Sequence, residues 1–166
     1  GYGVFETSAG WRILVFELIG RCDMQYGPDN PFLRADRILR EQEGRYDVAI
    51  CEIHASATSE KLAMGYYLDG RVSAVYGTHT HVPTADARVN PKGTGYITDL
   101  GMTGPKWSVL GVRSEQSIAM FRGDLTSRFE PAEGVCLLQG AVFDIDESTG
   151  RCRSVERIET EYTPEK

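Results

Sequence analysis

The chain has 166 residues, 41% of them hydrophobic and 25% charged; this lies near the globular average and excludes a disordered or fibrous protein. A net charge of −6 without any Lys/Arg-rich run excludes an extended duplex-binding surface, because neutralising phosphates needs clustered cations. A small anionic substrate stays open, since a bound metal ion supplies positive charge locally.

From the N-terminus, Tyr2 to Thr7 and Trp11 to Ile19 read as two strands around the turn Ser8-Ala9-Gly10. A polar loop, Gly20 to Asn30, leads to a helix with Asn30 as N-cap, Pro31 at its first position and Gly44 past its end. Phe32, Leu33, Ala35, Ile38 and Leu39 supply its apolar spacing. Tyr46 to Ile53 reads as a strand and Ser59 to Leu68 as a second helix, followed by strands at Val72 to Tyr76 and Gly95 to Thr98. This alternation predicts a parallel α/β sheet with both faces covered. Beyond Gly111 the pattern predicts a short helix at Ser114 to Arg122, then strands at Ser127 to Glu130, Gly134 to Ile145 and Arg151 to Thr160. The turn Asp146 to Gly150 makes the last two an antiparallel hairpin, and the tail from Tyr162 is expected to be loose. We expect one domain over residues 1–166.

No apolar run reaches the roughly 20 residues of a membrane span, and no secretory signal is visible at the N-terminus. The four cysteines, Cys22, Cys51, Cys136 and Cys152, form no CxxC pair and read as reduced thiols. A cytoplasmic setting is expected.

The three histidines all fall at the carboxyl ends of consecutive strands: His54 after Asp47 to Ile53, and His79 and His81 after Val72 to Thr78. Ligands of open parallel sheets bind beyond those ends. Residues two apart on a strand share a side, so His79 and His81 can converge, with His54 reaching in from the neighbouring strand. Three imidazoles suit zinc, iron or manganese. Ser56, Thr58 and Ser59 precede the second helix and are read as caps, compatible with presenting that helix N-terminus to an anion. Glu52 shares His54's side of its strand and is a weaker ligand or supporting candidate. Thr78 and Thr80 flank His79 in the loop. Asp99 either accepts the second ring N–H of a ligating histidine or forms an Asx turn ahead of Gly101.

His54-Ala-Ser-Ala-Thr-Ser-Glu-Lys-Leu-Ala-Met-Gly65, Gly77-Thr-His-Thr-His-Val82, Thr84-Ala-Asp86, Pro91-Lys-Gly93 and Tyr96-Ile-Thr-Asp-Leu-Gly-Met-Thr-Gly-Pro105 closely resemble the YmdB-like bacterial metallophosphoesterases, as does Pro31-Phe-Leu-Arg-Ala-Asp36. The resemblance implies a calcineurin-like β-sandwich flanked by helices, here lacking the N-terminal βα units. It implies His54, His79 and His81 as ligands in a two-ion iron or manganese centre, with zinc possible. It further implies hydrolysis of 2′,3′-cyclic nucleotides or related phosphodiesters by a metal-bound hydroxide.

The family's N-terminal acidic, asparagine and Asn-His motifs have no counterpart here, where the only asparagines are Asn30 and Asn90, and the family's aspartate two before the first histidine is Glu52. The general acid is therefore expected in the absent part, and the chain alone is expected to be inactive or weak. The missing half, or a partner chain, is expected to complete the site. Self-association into a homo-oligomer through an open sheet edge is expected too. Two alternatives stay open: an inactive structural or assembly domain, and a mononuclear three-histidine zinc-type hydrolase.

Overall fold

A computed structural model describes residues 1–25, 27–125 and 128–164. β1 (Tyr2–Glu6) and β2 (Arg12–Ile19) form an antiparallel hairpin, and the chain then alternates through α1 (Pro31–Glu41), β3 (Val48–His54), α2 (Thr58–Tyr67) and β4 (Ala74–Thr78). β5 (Arg88–Val89) and β6 (Gly95–Ile97) complete a six-stranded sheet of order β1-β2-β3-β4-β6-β5. Strands β2, β3, β4 and β6 are parallel, while β1 and β5 run antiparallel at the two edges. β7 (Gly104–Pro105), α3 (Ser114–Arg122), β8 (Cys136–Ile145) and β9 (Cys152–Tyr162) follow, with β7, β8 and β9 forming a second, antiparallel sheet.

Local chemistry explains α1. The Asn30 side-chain oxygen accepts from the N–H groups of Phe32 (3.0 Å) and Leu33 (3.3 Å), and Pro31 occupies a position where no N–H is needed. Ala35, Ile38 and Leu39 recur on one side and are buried. They pack with Met64 and Leu68 of the α2 segment against Leu14, Phe16, Leu18, Ala49, Cys51 and Ile53 of the sheet. Each large apolar side chain removed from water there contributes about 1.5–3 kcal/mol.

The opposite face of the sheet corrects one expectation. Helices cover only the face carrying Leu14, Phe16 and Leu18, whereas Glu17 and Ile19 stand exposed and Ile13, Val15 and Ile50 only half-buried. The second sheet reaches this side at one flank: β9 packs on β5 and β6, and Gly95 abuts Phe143, Cys152 and Val155. A sheet two long strands wide does not extend across to β2 and β3.

Other boundaries differ as well. β5 and β7, two residues each, had no pattern of their own. Of the strand expected at Ser127 to Glu130, Ser127 lies outside the described residues and 128–130 are not strand. Glu130 instead pairs its N–H with the Gln116 side chain and its carbonyl with Arg113 N–H. β9 continues through Tyr162, where a loose tail was expected, and Glu165 and Lys166 lie outside the described residues. Among the described residues no helix is long and apolar enough to cross a membrane.

Candidate metal centre

Because β3 and β4 are parallel neighbours, their carboxyl ends bring Ile19, His54 and Thr78 into one row across the sheet. His54 Nε2 lies 3.1 Å from His79 Nδ1, with the two rings edge-on at 83°. The other nitrogen of His54, Nδ1, is 2.9 Å from Thr78 Oγ1, and that hydroxyl donates to Glu52 Oε1 at 2.7 Å. A hydroxyl has one proton; having given it to Glu52, Thr78 accepts from His54 Nδ1–H. The chain Glu52–Thr78–His54 thus fixes the tautomer and leaves the Nε2 lone pair facing His79. Glu52 thus reaches His54 through the Thr78 hydroxyl. Tyr76 also donates to Glu52, at 3.4 Å, and its phenol is pushed up to about 12, first by burial and then by that carboxylate.

His79 and His81 lie past the strand in a tight turn, at φ 109° and 62°. Non-glycine residues rarely occupy this left-handed region, so the surrounding contacts must hold them there. Burial, followed by the nearby His54, Lys61 and His81, lowers the His79 pKa and favours the neutral imidazole that ligation needs. His81 is close enough to contribute to that shift, yet its ring borders a different hollow, with Val82, Pro83 and Met102. Strand geometry does not persist past Thr78, so strand alternation does not by itself set where His81 lies relative to His79.

Asp99 does not accept from any histidine. Its Oδ2 receives Lys61 Nζ (2.8 Å) and the Thr80 N–H (3.0 Å), while Oδ1 receives the Gly101 N–H (3.0 Å), which is the Asx-turn alternative. Burial opposes ionisation of Asp99, but these donors outweigh it and lower its pKa. The cap expectation for Ser56, Thr58 and Ser59 is also corrected: the α2 N-cap is Ala57, without a side-chain bond. Thr58 and Ser59 stand at the helix start, both exposed. Glu60, next along, accepts from the N–H groups of Arg21 and Cys22 and ties the 20–25 loop to α2.

That loop walls a cavity of about 520 Å³, lined by Glu17, Ile19, Asp23, Met24 and Gln25 together with His54 and His79. Sequence reasoning gave no role to Lys61 or to the loop residues. Lys61 was signalled by its spacing with Met64, Gly65 and Leu68, a buried stripe in which a lysine is out of place.

The donor chemistry fits a metal in part. A nitrogen separation of 3.1 Å suits neighbouring ligands of one ion with bonds of about 2.0–2.1 Å. Among the described residues, however, no group of three or more His, Cys, Asp or Glu side chains is gathered closely enough to hold an ion.

A mixed α/β sheet with a second sheet on its flank defines a metallophosphoesterase-like fold. A solved phosphatase from Mycoplasma pneumoniae shares it at TM-score 0.87 and 36% identity, covering 98% of this chain and 58% of that one. A hypothetical protein from Thermus thermophilus does so at TM-score 0.87 and 40% identity, covering 99% and 62%. The chain belongs to the YmdB-like protein family, which it matches over residues 1–158. It is 48% identical over 159 residues to the 2′,3′-cyclic-nucleotide 2′-phosphodiesterase of Bacillus subtilis (strain 168), covering 95% of this chain and 60% of that protein. A putative phosphatase/phosphodiesterase of Mycoplasma pneumoniae (strain ATCC 29342 / M129 / Subtype 1) is 38% identical over 157 residues, covering 93% and 55%. The chain therefore spans a little over half the length of these curated relatives.

Proposed function

We propose that the chain carries the histidine side of a metal-dependent phosphodiesterase centre acting on 2′,3′-cyclic nucleotides or related small phosphodiesters. The observation that carries this reading is the 3.1 Å approach of His54 Nε2 and His79 Nδ1 beside a cavity of about 520 Å³. His54 would hold an ion through Nε2 and His79 through Nδ1, with His81, two residues on, as the third candidate ligand. A divalent ion, iron or manganese by family resemblance, would supply Lewis acidity that acidifies an attacking water and offsets charge on the phosphoryl oxygens.

The chain's own residues prepare that chemistry. Glu52 and Thr78 hold the His54 tautomer, and such supporting bonds orient a ligand and raise its basicity. Lowering of the His79 pKa keeps its ring neutral. Ile19 and Met24 give the cavity apolar walls, while Gln25 offers an amide to a polar substrate edge. The remaining ligands and the proton donor to the leaving oxygen would come from a segment outside this sequence or from a partner chain.

Hydrolysis of 2′,3′-cyclic AMP, by the chain mixed with the N-terminal portion of a YmdB-like relative and manganese, tests the reading. Turnover abolished by His79→Ala is expected; no turnover under any mixing ratio would overturn it. The inactive-domain reading draws on the absence, among the described residues, of a three-donor group. Turnover that depends on His79 excludes it.

A further inference from the structure

We propose that the buried Lys61–Asp99 ion pair positions the histidine turn, determining where His79 and His81 are presented. Both side chains are 0% exposed and their charges lie 2.8 Å apart, one from α2 and the other just beyond β6. Taking two ions out of water is costly, and well-packed apolar residues often replace such a pair without loss of stability. Packing α2 on the sheet is therefore not by itself a reason for this pair.

An apolar pair cannot accept the Thr80 N–H. Thr80 lies between His79 and His81, both in the left-handed region, and its amide donates to the same oxygen, Oδ2, that Lys61 holds. Lys61 fixes the carboxylate, the carboxylate fixes the amide, and the amide fixes the turn between the two histidines. Gly77 belongs to the same arrangement: a Cβ there would meet the Thr98 carbonyl oxygen at 1.8 Å and Lys61 Cδ at 2.7 Å. Glycine at the end of β4 lets the lysine stem pass beneath the turn. With Glu60 tying down Arg21 and Cys22, the first turn of α2 fastens loops on both sides of the cavity.

The consequence for metal binding rests on the proposed function, but the positioning itself is read without metal. Nuclear magnetic resonance on the metal-free 166-residue chain measures Thr80 amide exchange and the through-space signal between the His54 and His79 rings. The Lys61→Met/Asp99→Leu double variant is expected to fold, with Thr80 exchange faster by about tenfold or more, the ring-to-ring signal abolished and β3 amides still protected. Asp99→Asn, which keeps an acceptor, is expected to restore much of the protection removed in Asp99→Ala. Unchanged Thr80 exchange and ring-to-ring signal in a folded double variant would overturn the proposal. If the double variant does not fold, equal Thr80 exchange in Asp99→Asn and Asp99→Ala overturns it, and slower exchange in Asp99→Asn supports it. Zinc titration of the same samples separates the two ideas: a parent that binds no zinc counts against the metal reading and leaves the positioning result standing.

Discussion

His54 and His79 meet nitrogen to nitrogen at 3.1 Å, although 25 residues separate them in the chain. The parallel pairing of β3 and β4 brings them together, and the Thr78 hydroxyl decides which nitrogen of His54 faces its partner. That hydroxyl is therefore an informative place to perturb the site. Thr78→Val removes it with little change in shape, and we expect zinc affinity to fall about 10–100-fold by calorimetry. Unchanged affinity would mean that the Glu52–Thr78–His54 chain does not support ligation.

Gly77 tolerates no side chain, because its Cβ would overlap the Thr98 carbonyl oxygen, a backbone atom that cannot swing aside. Gly77→Ala is expected to cost about 3 kcal/mol in urea unfolding, the upper end of overpacking penalties. A loss within about 0.5 kcal/mol, typical of surface changes, would show that β4 and the segment after β6 separate easily.

Stability in acid should follow Asp47, whose carboxyl takes the Arg12 guanidinium and backbone N–H and is held at about 2 rather than 3.8. A carboxyl depressed on folding contributes stability above its unfolded value and loses it as pH falls through the folded one. The parent should therefore lose stability between pH 3.8 and about 2 more steeply than Asp47→Asn, which has no such carboxyl. Parallel curves of urea midpoint against pH would contradict this.

The uncovered sheet face makes a further prediction. Phe5 is exposed, and Ile13, Val15 and Ile50 are half-buried on the side without helices. Contiguous exposed apolar surface favours association. We expect concentration-dependent self-association in sedimentation, weakened by Val15→Lys. A strictly monomeric parent would remove the support for a homo-oligomer.

Much of this architecture was legible in the sequence. Alternating strands and helices gave the parallel sheet, Asn30-Pro31 marked the start of α1, and histidines at two strand ends pointed to the candidate site. Elements β5 and β7 were not legible, because two residues carry no periodicity and their form is set by the strands they pair with. The form of the histidine turn was hidden too: an alternation rule holds only while the strand lasts, and the positive φ values at His79 and His81 lie past its end. Ser56, Thr58 and Ser59 carried cap chemistry, but the chain enters α2 with Ala57 at the cap position. Pairing of Lys61 with Asp99, 38 residues away, follows from tertiary structure alone.

The most direct test is bound metal per chain, by elemental analysis of protein purified without chelators, with a His79→Ala/His81→Ala control. The account predicts close to one equivalent of metal in the parent and its loss in the control. Near-zero metal in the parent, or the same metal content in both, would contradict it.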